Sequence, residues 1–222
     1  MGTLYLVRHG QASFGAANYD QLSELGVRQS VRLGEYFRHK GIRFDAVLHG
    51  TLARQSQTWQ GIATGCAHQL QAAVWPQLNE YDSQAVIRAV HPEPLHQPET
   101  PEAVRHYFRV LRDGLNQWAE AKVAPQGMPS YAAFAQGVAD ALHHVRSQYD
   151  GNVLLVSSGG PIATAVAQVL GAPPQTAIEL HLRIRNSAIS EMAFNPKRHV
   201  LMTFNTLPHL EADAYSSWVT FT

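Results

Sequence analysis

The 222-residue chain holds one cysteine, Cys66, which excludes an internal disulfide framework and suits a reducing compartment. Charge is sparse and evenly split. Charged side chains make up 15% of the chain, 17 basic against 17 acidic, for a formal net charge of +0. Without an excess of either sign, neither nucleic acid nor an anionic membrane is expected as a main partner. No apolar run is long enough to cross a bilayer, and Leu6 stands where N-myristoylation of Gly2 would want a hydroxyl. There is no low-complexity block and no internal repeat. The first residues pass straight into strand formers without a basic segment or a cleavage site, so a cytoplasmic location is expected. What is present is apolar: 45% of the residues, enough for a sizeable core. The expectation is one domain over residues 1–222 with an insertion at about 81–128, rather than two domains.

The most informative segment is Leu4-Tyr5-Leu6-Val7-Arg8-His9-Gly10-Gln11. A run of buried-strand formers ends in an arginine, a histidine and a glycine, and in open α/β sheets ligands bind beyond the carboxyl ends of strands. An imidazole placed there can attack phosphorus, while a guanidinium beside it holds a phosphate and disfavours protonation of the ring. Gly10 would let the backbone turn and a ligand come close. A strand that merely ends in a surface Arg-His pair is the plain alternative.

The rest of the chain reads as alternating strands and helices. A first strand covers 3–8, and Ser23 caps a helix that Gly41 stops near Lys40. A strand at Phe44–Leu48 precedes a helix from Leu52 to about Ala63, and a short strand lies near Val74. Four prolines crowd residues 92–101, after which Val104, Phe108, Leu111, Leu115 and Trp118 recur at helical spacing. This stretch reads as a helical cap over the ligand end of the sheet, its aromatic stripe being core rather than a cofactor box. A helix from Tyr131 to Val145 leads into a strand at 152–157 and the turn Ser157-Ser158-Gly159-Gly160, with Pro161 suited to the first position of the next helix. Backbone N–H groups at such a helix start form an anion site. Residues 177–204 read as two or three strands joined by turns at Arg185-Asn186 and Pro196-Lys197; such short connections require antiparallel pairing, so the sheet is mixed.

Two further strand ends carry suggestive groups. Arg54 lies in the first turns of the helix after the second strand, as a second phosphate clamp or a solvated arginine. Glu80 follows the third strand, as a proton donor and acceptor at an ester oxygen or as an ordinary loop carboxylate.

Taken in order, these residues resemble the histidine phosphatase superfamily, the phosphoglycerate-mutase-like proteins. Its Arg-His-Gly signature is matched by Arg8, His9 and Gly10, and its Leu-Thr-Glu-Leu-Gly helix start resembles Leu22-Ser23-Glu24-Leu25-Gly26. Its Leu-x-Arg-x-x-x-Thr context is matched by Leu52, Arg54 and Thr58, and its acid by Glu80. The resemblance implies a three-layer α/β/α sandwich with a mixed, mostly parallel sheet and an inserted helical cap. It also implies hydrolysis of a phosphomonoester through a phosphohistidine on His9, with Glu80 as acid and base. Arg8, Arg54, Ser158 and Gly159 would bind the phosphate. No cofactor and no metal are implied, because arginines supply the cationic charge. The partner would be a phosphorylated small molecule, with a phosphopeptide and a homodimer left open.

One position departs from the family. Its usual Ser-His-Gly-Gly turn reads Ser157-Ser158-Gly159-Gly160 here, so Ser158 stands where a second, phosphate-binding histidine belongs. A hydroxyl donates one hydrogen bond but brings no charge, and a lost preorganised donor costs roughly 10²–10³ in rate. His49, at a strand end, and His91 and His96, in the cap, are the candidates for a substitute. Two other readings stay open: a mutase, although Glu80 is followed by Tyr81-Asp82-Ser83 instead of a Glu-Arg-His-Tyr-Gly segment, and a phosphate-binding pseudoenzyme without turnover. A serine-hydrolase elbow around Ser158 fails because Val156 occupies its first glycine position.

Overall fold

The computed structural model describes residues 1–13, 20–93, 95 and 100–221. Its strands are β1 (Gly2–Arg8), β2 (Ala46–His49), β3 (Ala73–Val74), β4 (Asn152–Ser157), β5 (Ile189–Asn195) and β6 (Arg198–Thr206). They form one sheet in the order β3-β2-β4-β1-β5-β6. The first four run parallel, and β5 and β6 run antiparallel. The sheet is therefore mixed, and β1 and β4 lie side by side at its centre.

Strand alternation divides the core into two layers, because successive side chains point to opposite faces. Tyr5 and Val7 of β1, with Leu154 and Val156 of β4, pack on one face. That face is covered by α1 (Glu24–His39) through Leu33 and Phe37, and by α2 (Ala53–Cys66) through Trp59 and Ile62. Leu4, Leu6, Val153 and Leu155 point the other way. There they meet α5 (Tyr131–Gln148) and α6 (Gly159–Leu170). A third cluster joins α3 (Ser83–Val90), α4 (Pro101–Ala119) and Ile178 of α7 (Pro174–His181) around Leu111, Leu115 and Trp118. Of the α4 stripe, Leu111, Leu115 and Trp118 are core as their spacing indicated, whereas Val104 and Phe108, in its first half, are exposed.

Local signals behave as their chemistry dictates. The Ser23 side chain accepts from Gly26 N–H at the start of α1, and Gly41 takes a left-handed φ of 68° just past its end, as a glycine stop requires.

Four expectations need correction. Residues 177–181 belong to α7, so the segment read as two or three strands holds two, β5 and β6. Pro161 is the third residue of α6, whose helix begins at Gly159; lacking an N–H it still fits the first turn. A separate helix, α3, stands where the sequence signalled only a break in rhythm. Gly10 does not serve a left-handed turn, since its φ is not positive. A Cβ there would lie 2.4 Å from the Gly26 carbonyl oxygen, and one on Gly26 would lie 2.1 Å from that of Gln11. The two glycines let the exit of β1 and the start of α1 touch backbone to backbone.

Candidate active site

The carboxyl ends of β1 and β4 meet at Arg8 and Ser157, which are register partners, and His9 N–H donates to the Ser157 carbonyl at 2.9 Å. His9 is buried, 3% exposed. Its Nδ1 lies 2.7 Å from the Gly10 carbonyl oxygen. That oxygen can only accept, so Nδ1 carries the proton and Nε2 keeps its lone pair. Arg54 Nε–H donates to this Nε2 at 3.2 Å. Burial, and then the charges of Arg8 and Arg54, hold the His9 pKa well below the usual histidine value, against an opposing contribution from the Gly10 carbonyl. The ring is neutral at pH 7.

The arginines are fixed as firmly as the ring. Arg8 Nη1 donates to the carbonyls of Ile184 and of Phe221. Arg54 Nη1 pairs with Asp20 Oδ1 at 2.8 Å, and the same carboxylate accepts from the Ala53 N–H at 2.9 Å. Asp20 thereby caps α2, whose own N-cap residue, Leu52, has no side-chain oxygen to offer. Thr58 accepts from Gly10 N–H at 3.0 Å, and Asn186 Nδ2 donates to the His9 carbonyl at 3.3 Å.

The second corner lies where β4 runs into α6. Ser158 is fully buried, and its hydroxyl accepts from Gln55 Nε2 at 3.0 Å. The same amide donates to the Leu78 carbonyl at 2.9 Å. Gly160 N–H donates to Glu80 Oε2 at 3.0 Å, so the helix start holds a carboxylate, as helix N-termini do. On the other side of Glu80 stands His181, the last residue of α7, with Nε2 3.5 Å from Oε2. The Tyr81 hydroxyl meets His181 Nδ1 at 2.9 Å. Burial would raise the Glu80 pKa, but His181, the Gly160 N–H and Arg54 together bring it below the usual glutamate value. Glu80 is ionised at pH 7.

The paired glycines make this corner possible. A Cβ on Gly159 would stand 2.5 Å from the His181 ring, and one on Gly160 would stand 2.2 Å from Glu80 Oε1. Burial, with the charge of Glu80 next in size, lifts the Tyr81 pKa well above its usual value, keeping the hydroxyl neutral.

The structure thus brings Arg8, His9 and Arg54 into one cluster, and Ser158, Gly159 and Glu80 into an adjoining one. His49 and His91 take no part in either: their Nδ1 atoms meet the carbonyls of Gly50 at 2.6 Å and Glu93 at 2.8 Å. His96 lies outside the described residues. Asp20, Gln55 and His181 were not found from the sequence, because each contributes only through partners distant in the chain. Among the described residues, no three His, Cys, Asp or Glu side chains are grouped as metal ligands would be, and no helix is long and apolar enough to cross a membrane.

The chain is similar in structure to a phosphoserine phosphatase from Entamoeba histolytica, solved with 3-phosphoglyceric acid: TM-score 0.67 at 22% identity, covering 95% of this chain and 100% of that one. An α-ribazole phosphatase from Shigella flexneri gives a TM-score of 0.65 at 24% identity, covering 92% and 96%. A phosphoglycerate mutase from Bacillus anthracis gives 0.66 at 16%, covering 94% of each chain. At these identities the likeness shows the shared fold. No curated protein matches the sequence. The family model of the histidine phosphatase superfamily, branch 1, matches residues 4–207, and the chain belongs to that superfamily.

Proposed function

We propose that the protein hydrolyses a phosphomonoester through a phosphohistidine formed on Nε2 of His9. The observation that carries this reading is the state of the ring: neutral, with Nδ1–H tied to the Gly10 carbonyl and Nε2 directed at Arg54. A nucleophile needs an available lone pair at working pH, and burial between two guanidinium groups supplies one.

In the first step the Nε2 lone pair attacks phosphorus, the P–O bond to the leaving group breaks, and the leaving oxygen takes a proton from Glu80. Arg54 and Arg8 neutralise the equatorial oxygens, and the bound phosphate displaces the claim of Asp20 on Arg54. Ser158 adds one hydrogen bond: its oxygen already accepts from Gln55, which leaves the O–H to donate. In the second step water attacks phosphorus, gives its proton to Glu80, and the P–N electrons return to His9. The charge on the phosphoryl group is met by arginine, so activity is expected without a metal.

The relatives in the fold act on phosphorylated small molecules, which supports a substrate of that class; the phosphatase reading is preferred to a mutase because Tyr81-Asp82-Ser83 follows Glu80. Rapid acid-free quench with a labelled phosphomonoester should leave a base-stable, acid-labile label on His9, absent from His9→Ala. Turnover unchanged in His9→Ala, or lost in EDTA and restored by one divalent ion, would overturn the mechanism.

A further inference from the structure

Glu80 poses a problem that the superfamily assignment leaves open. The leaving oxygen needs a proton, yet the acid assigned to give it is ionised at pH 7. The usual second histidine is also missing from this corner, where Ser158 stands.

We propose that His181 is the proton partner of Glu80, so that the two side chains carry one proton between them and deliver it through Glu80 to the leaving oxygen. The inference rests on the hydrolase reading above. Its geometry is specific. His181 ends α7, and its Nε2 faces Glu80 Oε2 at 3.5 Å, a separation that apo acid–base pairs commonly shorten when substrate binds. The imidazole lies against the backbone of Gly159, where only a glycine leaves room for it. It therefore packs against the helix start that follows Ser158, reached from a different element of the chain.

Tyr81 makes the arrangement workable in both protonation states. When His181 is neutral with its proton on Nε2, Nδ1 accepts from the Tyr81 hydroxyl; when it is protonated on both nitrogens, Nδ1–H donates to the phenol oxygen instead. The contact survives either way. The ring of Tyr81 is held by Trp118 and Phe134, with centroids 5.8 and 6.2 Å away.

The surrounding charges are few. From the loop before α3 come Glu80 and Tyr81; from α2, Arg54 acts on Glu80, and from β1, Arg8 acts on Tyr81. Tyr107 of α4 and Tyr131 of α5 face Tyr81. On α7 itself Glu179 is engaged by Arg112 of α4 at 3.0 Å. Glu80 is thus the carboxylate that His181 meets.

The step balances. Protonated His181 passes its Nε2 proton to Glu80 as the phosphate dianion enters and raises the proton affinity of the carboxylate. Glu80 gives that proton to the leaving oxygen while the P–O bond breaks and the P–N bond to His9 forms. In hydrolysis the water proton returns to Glu80 and then to His181. Acting through Glu80, His181 is a positioning and proton-supplying residue.

The test compares two esters in wild type and His181→Gln. An alkyl phosphate such as β-glycerophosphate needs a proton on its leaving oxygen; p-nitrophenyl phosphate, whose leaving group is stable as an anion, does not. His181→Gln should lower kcat/KM for the alkyl ester on the order of 10²-fold, the usual contribution of a general acid, and that for the nitrophenyl ester by less than about tenfold. The alkaline limb of the alkyl-ester pH profile should move to lower pH. Tyr81→Phe, which keeps the ring packing, should shift the same ratio in the same direction by less. Equal losses on both esters, or none on the alkyl ester, would overturn the proton partnership and leave the hydrolase reading standing. Wild-type protein that turned over neither ester would overturn the hydrolase reading itself and the relay with it.

Discussion

The two corners of the site solve opposite electrostatic problems. At the β1 corner a histidine is buried between two arginines and kept neutral, so its nitrogen lone pair is available. At the β4 corner a partly buried glutamate is surrounded by an amide N–H, an imidazole and a distant arginine, and kept charged. Burial alone would neutralise both groups. What separates them is the sign of the neighbours: cations reinforce desolvation at a histidine and oppose it at a carboxylate. One arginine, Arg54, therefore acts on both groups.

The contrast can be broken most severely at the first corner. His9→Ala should abolish the phosphoenzyme and reduce turnover on the order of 10⁴-fold or more, as nucleophile deletions do. Arg54→Ala should cost roughly 10²–10³ in turnover. Quench-flow labelling and steady-state kinetics would check both; near-normal turnover in either variant would remove the first corner from the chemistry.

Glycine substitutions sharpen the difference. Gly160→Ala sets a methyl group 2.2 Å from Glu80 Oε1 and 2.9 Å from the Tyr81 ring, side chains rather than backbone. Turnover of an alkyl ester should fall by about 10- to 100-fold through displaced acid–base chemistry, with the melting temperature little changed. Gly10→Ala instead meets backbone, the Gly26 carbonyl, and should destabilise the fold by about 1–3 kcal/mol, as overpacking does. Thermal melts beside kinetics separate the two outcomes.

Ser158→His asks whether the family's missing imidazole can simply be restored. Ser158 is fully buried with the Gln55 amide 3.0 Å from its hydroxyl, so the larger ring should cost about 1–3 kcal/mol in stability and lower activity. Adding Gln55→Ala should recover part of both losses. A stable, faster single variant would show that the pocket was open after all.

The most gradual effects come with acid. His9 is held below the unfolded value of 6.5, and buried His209, bonded to Ser187, lies at about 3. Below pH 6.5 the unfolded chain binds protons that these rings refuse, so stability falls as pH drops from 6.5 towards their folded values. Glu80, lowered instead from 4.5, contributes stability that is present above 4.5 and is lost as pH falls through its folded value. The first corner therefore weakens in milder acid than the second. Denaturation at pH 7, 5.5 and 4 should show this, and His209→Gln should flatten the slope by up to about 1.4 kcal/mol per pH unit.

How much was legible follows the same division. Arg8, His9 and the Ser23 cap are adjacent to their elements in sequence, so apolar runs and punctuation residues locate them directly. Strand ends and short connections also suggested Arg54, Glu80 and the mixed sheet, and the family pattern chose between the open readings of the two side chains. His181 stayed hidden because its helix imitates a strand: Ile178, Leu180, Leu182 and Ile184 alternate with Glu179, His181, Arg183 and Arg185, a period of two in a segment that starts as a helix. Pro174, at the first turn of that helix, was the available signal. Asp20 and Gln55 had none: the first acts only when its loop meets the start of α2, and the second only when α2 is docked against Leu78 and Ser158.

The pairing of β1 with β4 also has a temporal meaning. The strand that carries His9 is made well before its parallel neighbour: Leu4 pairs with Val153, almost 150 residues further along the chain. At about 5–20 residues per second, a ribosome needs on the order of ten seconds to supply it. Until then the Leu4-Tyr5-Leu6-Val7 run has no inner partner, and every newborn molecule passes through an interval in which this apolar strand awaits burial and the proposed nucleophile is only an ordinary solvated histidine.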